Sequence, residues 1–393
     1  MGKALGLRTD APGSIAPKNE FNGDSGAFAG RKISVFIPVY KGSDLLEALL
    51  EELINCAYEN KEIFVAMDEP DEKSFEVVKK YGGKVKFLLN SKRRGKVEAL
   101  NSAVKISSGE ILVFLDSDVQ LAGRDFLELI GREMAETEIL DFKKEILKGS
   151  FISRMVSYEF LSSNIVSYLY SKLVQKCIGI NGAAFAITRK AFEEVGGFSK
   201  AISEDFDLAV KALLKNKKFK YTEKVKVYTK APSNWSSWFT QRKRWGIGTG
   251  LWLKGYWRKL SKYVANYPHV IFPSLIILFP TFIPIMFNYF FTKFIGCKIP
   301  SFIPSFFVMQ SSILIPFIPY VGEVFLTSLA TIFLSFILFS ALFYLASKKL
   351  KLRFNFAEFL IYFLFYQPLA SLILFAGIIT AVFSENHKLD WKV

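Results

Sequence analysis

The chain changes character near residue 264. Beyond that point lie 23 of its 40 phenylalanines but only 4 of its 36 acidic residues. Apolar stretches without an internal charge run there for 20 residues or more, the length a helix needs to cross the ~30 Å hydrocarbon core of a bilayer. Before that point charges are frequent, and basic residues outnumber acidic ones. One third of the chain therefore reads as membrane and two thirds as a basic, water-facing part. This pattern excludes a disordered chain, a disulfide-stapled module and a wholly soluble enzyme. The residues ahead of the membrane part are enough for one sizeable α/β core.

Metal and triad chemistry is narrowed by what the chain lacks. Cys56, Cys177 and Cys297 are odd in number and far apart, so buried or lipid-facing thiols in a reducing compartment are expected. The only histidines are His269 and His387. A histidine metal site or a Ser-His-Asp triad in the water-facing part is thereby excluded.

Residues 1–30 lack periodicity and a signal-peptide apolar run, and read as a flexible tail. From residue 31 to 233 strand-like runs alternate with helix-like ones. The strands are placed at Ile33–Val39, Glu62–Met67, Val85–Leu89, Glu110–Leu115, Asn181–Ile187 and Val225–Tyr228. Helices are placed at about 45–58, 72–81, 96–106, 151–178 and 206–214. Such alternation predicts an α/β fold around a parallel, doubly wound sheet, whose ligands bind beyond the carboxyl ends of the strands. Tyr40, Asp68 and Asp116 fall at those ends. Residues 234–263 hold five of the six tryptophans interleaved with Arg and Lys, a composition suited to amphipathic helices at a membrane interface. Residues 264–393 form the membrane region. Full spans are expected at 271–291, 324–346 and 359–383, with the Pro-rich segment 299–322 as a re-entrant piece or a fourth span. The basic loop from Lys348 to Arg353 favours the cytoplasmic side, and so three spans.

Three short motifs carry candidate chemistry, each with a plainer alternative. Asp116-Ser117-Asp118 ends a strand, where two carboxylates can hold a hard divalent cation that bridges a diphosphate; acidic turns after strands are also common without a metal. Ser203-Glu204-Asp205 opens a helix. Asp205 there is placed to act as a general base, or the segment is only an N-cap with acids in the first turn. Gln241-Arg242-Lys243-Arg244-Trp245 is either a membrane-anchoring face or a cleft wall, with Arg244 balancing phosphate charge and Trp245 stacking on a sugar. No P-loop or dinucleotide glycine fingerprint occurs. Arg93, Arg94 and Lys96 offer side-chain charge to a diphosphate instead.

The order of these pieces resembles the GT-A fold glycosyltransferases of family 2. The likeness is to the membrane-bound branch with a D, DxD, (T/S)ED and QxxRW set: cellulose, chitin and hyaluronan synthases and ceramide glucosyltransferases. It covers about residues 32–260. It implies a GT-A domain, a Rossmann-like and mostly parallel sheet, followed by interfacial and transmembrane helices. It implies that Asp68 contacts the nucleotide base in a pocket lined by Pro38 and Tyr40, and that Arg94 and Lys96 lie near the diphosphate. Asp118, with Asp116, would hold Mg²⁺ or Mn²⁺. Asp205 would be the catalytic base beside Glu204, and Gln241, Arg244 and Trp245 would form the acceptor and diphosphate side of the cleft. The implied reaction is inverting transfer from a UDP- or GDP-linked sugar. The expected acceptor is a membrane lipid at the cytoplasmic face of the cell membrane, and no nucleic-acid partner is expected. A processive polysaccharide synthase is the alternative; a non-catalytic scaffold binding anionic lipid or RNA is the competing class. Lys41 and the turn Asp68-Glu69-Pro70-Asp71 depart from the family pattern and leave the base open between uracil and guanine.

Overall fold

The computed structural model describes residues 30–147, 149–271, 273 and 314–383. The tail at 1–29, the expected span at 271–291 and the Pro-rich residues 299–313 fall wholly or almost wholly outside them.

Eight strands form one sheet in the order β3-β2-β1-β4-β7-β6-β8-β5. They are β1 (Ile33–Tyr40), β2 (Lys61–Asp68), β3 (Lys86–Asn90), β4 (Ile111–Leu115), β5 (Val119–Leu121), β6 (Ile139–Ile146), β7 (Ala184–Thr188) and β8 (Phe219–Thr229). The first four are parallel neighbours; β1, β2 and β4 carry continuous apolar runs buried on both faces, while β3 at the sheet edge is partly exposed. Between them run α1 (Leu46–Ile54), α2 (Glu72–Tyr81) and α3 (Lys96–Ile106). The strand alternation holds at matched register: Phe64, Phe36, Phe114 and Phe185 sit side by side across four strands. Their rings lie 5.4, 5.2 and 5.1 Å apart, forming a ladder on one face. Val35, Ile37, Val65 and Val113 point into the core on the other face.

The parallel pattern stops at β4. β7 pairs with β4 antiparallel, β6 with β7 antiparallel, and β8 with β6 parallel. The sheet is mixed but mostly parallel, as the family resemblance implied; the strand–helix alternation alone predicted only parallel neighbours. The reversal matters for position. Because β7 runs against β4, its first residue Ala184 lies opposite Leu115, and the Asp116 amide donates to the Ala183 carbonyl at 2.9 Å. Residues just before β7 thus meet residues just after β4.

Helices α4 (Phe126–Glu133) and α6 (Arg189–Glu194) complete the domain, with α5 (Phe151–Leu169), which widens into a π turn at Tyr170–Val174, and α7 (Glu204–Leu214). Residues 234–263, expected as several interfacial helices, are part of a single helix, α8 (Trp235–Asn266). Then follow α9 (Leu314–Lys349), α10 (Phe356–Ile361) and α11 (Gln367–Phe383), the last two joined by a π turn at Tyr362–Tyr366. Pro316 and Pro319, in the segment read as a re-entrant piece or a fourth span, sit in α9. Ile332–Lys349 and Phe356–Phe383 are long and apolar enough to cross a membrane.

The basic loop between α9 and α10 is fastened to the sheet domain. Lys143 Nζ donates to the Lys351 carbonyl at 2.9 Å. The Tyr158 hydroxyl donates to the Asn355 carbonyl at 3.0 Å, and accepts from the Asn355 amide at 3.1 Å. That loop and the domain are therefore in direct contact.

Candidate active site

The carboxyl ends of β1 to β4 build one rim. Asp68, at the end of β2, is buried. Its carboxylate accepts from Asn90 Nδ2 at 2.9 Å, the Arg94 amide at 3.0 Å and the Gly95 amide at 2.7 Å. The chain's own donors thus engage a carboxylate expected to contact a base, and they fix the turn that starts α3. Gly95 holds that turn with φ 91°, a conformation open to glycine and strained for other residues. The Arg94 side chain points outward, 4.0 Å from Glu98. Arg93 instead lies over the Tyr40 ring, 4.2 Å from its centroid, while the Tyr40 hydroxyl donates to Glu69 at 3.2 Å.

With the turn fixed, Lys96 projects from the first residue of α3 into a cleft lined by Pro38, Asp116, Gly182, Glu204 and Asp205, among others. Its ammonium is 2.8 Å from Asp116 Oδ1 and 2.8 Å from Glu204 Oε1. Burial alone would lower its pKa, but these two carboxylates outweigh that and hold it well above the ordinary lysine value. Lys96 thereby joins the acidic turn after β4 to the acidic start of α7.

Asp205 is held from both sides. The Gly182 amide donates to Oδ2 at 3.0 Å and the Phe206 amide to Oδ1 at 2.8 Å. A Cβ at residue 182 would lie 2.8 Å from Asp205 Oδ2, so only glycine admits this approach. Burial first, and then the charge of Glu204, push the Asp205 carboxyl up to about 7 against the opposing pull of Lys96. Burial and the neighbouring Asp116 likewise raise Asp118, to about 6. Ser203, which could have capped α7, makes no side-chain cap hydrogen bond.

Ser203 instead meets α8. A Cβ at residue 248 would lie 2.3 Å from the Ser203 hydroxyl oxygen and 2.9 Å from Ile202 Cγ2. Further along, Trp252 Nε1 donates to the Phe206 carbonyl at 3.3 Å and the Tyr256 hydroxyl to Asp207 at 2.6 Å. Residues 241, 245, 248 and 252 share one helical face. Gln241 and Trp245 therefore stand on the face that touches α7, with Arg244 at its margin, one to two turns from the contact. Arg244 makes no hydrogen bond or ion pair among the described residues, whereas Arg242 is fully buried. The tryptophan belt is less uniformly interfacial than its composition suggested: Trp238 is buried and Trp252 packs on Phe206.

On its opposite side α8 lies along α11. A Cβ at residue 246 would be 2.6 Å from the Leu374 carbonyl, and one at residue 250 would be 2.8 Å from the Ile378 carbonyl. Gly377 faces Gly246. Small residues let the two backbones approach this closely. Gly182, Gly246, Gly248 and Gly250 were not picked out from the sequence. The spacing of the last three within a helix was a readable sign of close packing on two sides.

Two carboxylates close enough for one to raise the other, in a partly buried turn, form an environment that a divalent ion relieves. No cluster of three or more His, Cys, Asp or Glu suited to a metal occurs among the described residues. Asp116 and Asp118 could supply at most part of a coordination sphere for a divalent ion.

The family model described as Glycosyl transferase family group 2 matches residues 111–383, more than two thirds of the chain. The chain belongs to this family. The family 2 glycosyltransferase is 24% identical over 230 residues to "Probable glycosyltransferase YdaM" of Bacillus subtilis, covering 55% of each. It is 24% identical over 259 residues to "Poly-beta-1,6-N-acetyl-D-glucosamine synthase" of Staphylococcus epidermidis, covering 61% of each. It is 24% identical over 155 residues to "UDP-Glc:alpha-D-GlcNAc-diphosphoundecaprenol beta-1,3-glucosyltransferase WfgD" of Escherichia coli, covering 37% of this chain and 56% of that one. The glycosyltransferase thus spans less than two thirds of the length of these curated relatives. Among solved structures, a mannosyltransferase from Pyrobaculum calidifontis in complex with GDP-Man and Mn²⁺ superposes with a TM-score of 0.54 at 14% identity. That match covers 91% of this chain and 88% of the other, and it supports the GT-A fold.

Proposed function

We propose that this family 2 enzyme transfers a sugar, with inversion, from a nucleoside-diphosphate sugar to a hydroxyl of a membrane-lipid acceptor at the cytoplasmic face of the cell membrane. The observation that carries this reading is the Lys96 bridge between Asp116 and Glu204, which brings two acidic motifs far apart in the chain into one cleft.

Each residue has a part in that reading. Tyr40 and Arg93 form an aromatic-cationic wall for the base, and Asp68 shapes the pocket by holding the turn at 94–95. Lys96 meets diphosphate charge. Asp116 and Asp118 would hold Mg²⁺ or Mn²⁺, which when bound supplies positive charge to the leaving nucleoside diphosphate. Asp205 takes the proton from the acceptor hydroxyl as its oxygen attacks the anomeric carbon. Its raised pKa makes it a stronger base than a solvated carboxylate, and its two amide partners aim it. Gln241, Arg244 and Trp245 wall the acceptor side.

Two features support a lipid acceptor. The helix carrying Gln241 and Trp245 is zipped to the apolar α11, so the cleft wall is continuous with a membrane-type helix. One relative is named for a diphosphoundecaprenol-linked acceptor. The fastened basic loop agrees with a cytoplasmic domain, because positive loops favour that side. The relatives named as poly-N-acetylglucosamine synthases favour a second reading, processive synthesis. The test is a screen of UDP- and GDP-sugars for nucleoside-diphosphate release, with and without Mn²⁺ or Mg²⁺, followed by sizing of the product. One sugar in the organic phase supports the lipid reading, and a ladder supports the processive one.

A further inference from the structure

Arg242 is the most deeply buried cation on α8, and nothing in the reaction proposed above uses it. Its side chain has no exposed surface. It forms an ion pair with Glu159 of α5: Nε is 3.1 Å from Oε1, and Nη2 meets Oε2. Nη2 also donates to the Tyr366 hydroxyl at 3.2 Å, which accepts from Trp238 Nε1 at 2.6 Å. The remaining contacts are the informative ones. Nη1 donates to Gln241 Oε1 at 2.5 Å, and the guanidinium lies 4.2 Å from the Trp245 ring centroid. One planar cation thus touches two of the three side chains assigned to the acceptor wall.

We infer that Arg242, held by Glu159 and Tyr366, is a positioning residue that sets the orientation of Gln241 and Trp245, and so governs acceptor engagement rather than donor chemistry. The inference rests on the reading of Gln241 and Trp245 as the acceptor wall. Stability alone is a poor reason for the pair. A buried ion pair gives little net stabilisation over well-packed apolar residues, and α8 is already joined to α11 through glycines. A guanidinium is suited to the alternative, because it can donate to a carboxylate along one edge, donate to an amide oxygen along another and stack its face on an indole. Lysine keeps the charge but lacks the plane and the fork. The anchor Tyr366 lies in the π turn that leads into α11, so the orientation of Trp245 is tied to the membrane-facing helices as well as to α5.

The test uses the full chain in lipid nanodiscs, comparing wild type with Arg242→Lys and Glu159→Gln. With UDP-N-acetylglucosamine and GDP-mannose as probes, two rates are read: nucleoside-diphosphate release to water, and sugar transfer into added total lipid. In parallel, fluorotryptophan labelling follows the Trp245 resonance, assigned by its loss in Trp245→Phe. The expected result for Arg242→Lys is a shifted Trp245 line and at least a tenfold fall in transfer, with release to water within twofold of wild type. An unmoved Trp245 line overturns the inference whatever the rates, and so does an equal fall in release and transfer. If wild type releases nucleoside diphosphate from no donor, the functional reading fails, and the Trp245 line alone then decides whether Arg242 orients that ring. Should Glu159→Gln fail to fold, Arg242→Lys carries the test, because it retains the paired charge.

Discussion

Lys96 and Glu204 lie 2.8 Å apart although 108 positions separate them in the chain. One opens α3 and the other opens α7, and the same ammonium reaches Asp116. A single cation thus stands among four carboxylates, Asp116, Asp118, Glu204 and Asp205, each of which would repel the others without it.

Removing that cation should be severe. Lys96→Met leaves the acids facing one another and removes the charge that opposes the rise of the Asp118 and Asp205 carboxyls. Donor turnover is expected to fall at least a hundredfold. The melting temperature should drop at pH 8 and recover towards wild type at pH 5.5, where the carboxyl groups can take up protons. Thermal scans at the two pH values, with nucleoside-diphosphate release alongside, check this. An equal deficit at both values contradicts the electrostatic account.

Asp205 predicts a pH profile with a definite sign. Burial and Glu204 raise its carboxyl to about 7, so kcat/KM should fall as pH drops through the neutral range, where the base becomes protonated. Stability should move the other way. A carboxyl with a folded-state pKa above its unfolded value of about 3.9 makes the folded state less stable as pH rises towards 7. Asp205→Asn should therefore abolish transfer, by at least a thousandfold, yet melt no lower than wild type at pH 8. A marked loss of stability in this variant would assign Asp205 a structural role instead.

Glycine contacts give a third prediction. Gly248→Ala puts a methyl group 2.3 Å from the Ser203 hydroxyl oxygen, and Gly182→Ala puts one 2.8 Å from Asp205 Oδ2. Both should lower transfer ten- to a hundredfold by displacing the start of α7, with nucleoside-diphosphate affinity nearly unchanged. Gly246→Ala meets the Leu374 backbone instead and should cost stability, about 1–3 kcal/mol as for other overpacked sites. Steady-state kinetics and thermal unfolding separate the two effects.

Glu62 predicts an acid limit to folding. It is buried beneath the sheet edge, which alone would raise its pKa, but hydrogen bonds from the Ser108 amide, Ser34, Lys86 and Lys32 outweigh burial and hold it down to about 2. The unfolded value is about 4.3. Its stabilisation is therefore complete above that value and is lost as pH falls through about 2, and it amounts to about 3 kcal/mol. Glu62→Gln should lose most of this at pH 7 and flatten the acid-unfolding curve between pH 5 and pH 2. Denaturant titrations across that range measure it.

The parallel half of the fold was legible because its strands are plain apolar runs that end in polar turns. Helices 72–81 and 96–106 were readable to the residue. The antiparallel half was not. β6 carries Asp141, Lys143 and Lys144 in its middle, and these are buried. Asp141 is paired with Lys144 and accepts from Ser167 at 2.6 Å. A strand whose charges pair with one another, Asp141 with Lys144 and Lys143 with Glu145, can be buried although it shows no apolar pattern. The acidic motifs could be found from strand and helix ends. The Lys96 bridge and the Gly248–Ser203 contact could not, because each depends on which elements the tertiary fold brings together. Arg244 could be singled out by the QxxRW pattern, whereas the burial of Arg242 could not be read, because helical phase and contacts with Glu159 and Tyr366 decide it.

In the proposed function, the acidic turn at 116–118 and the start of α7 serve one nucleotide-sugar site with separate roles. The most direct measurement is calorimetric binding of UDP and GDP, with and without Mn²⁺, to wild type, Asp118→Asn and Asp205→Asn, paired with turnover of the matching sugar nucleotides. The account predicts Mn²⁺-strengthened binding in wild type that Asp118→Asn removes, and intact binding without turnover in Asp205→Asn. Nucleotide binding indifferent to Mn²⁺ and to Asp118, or sugar transfer that survives in Asp205→Asn, would contradict it.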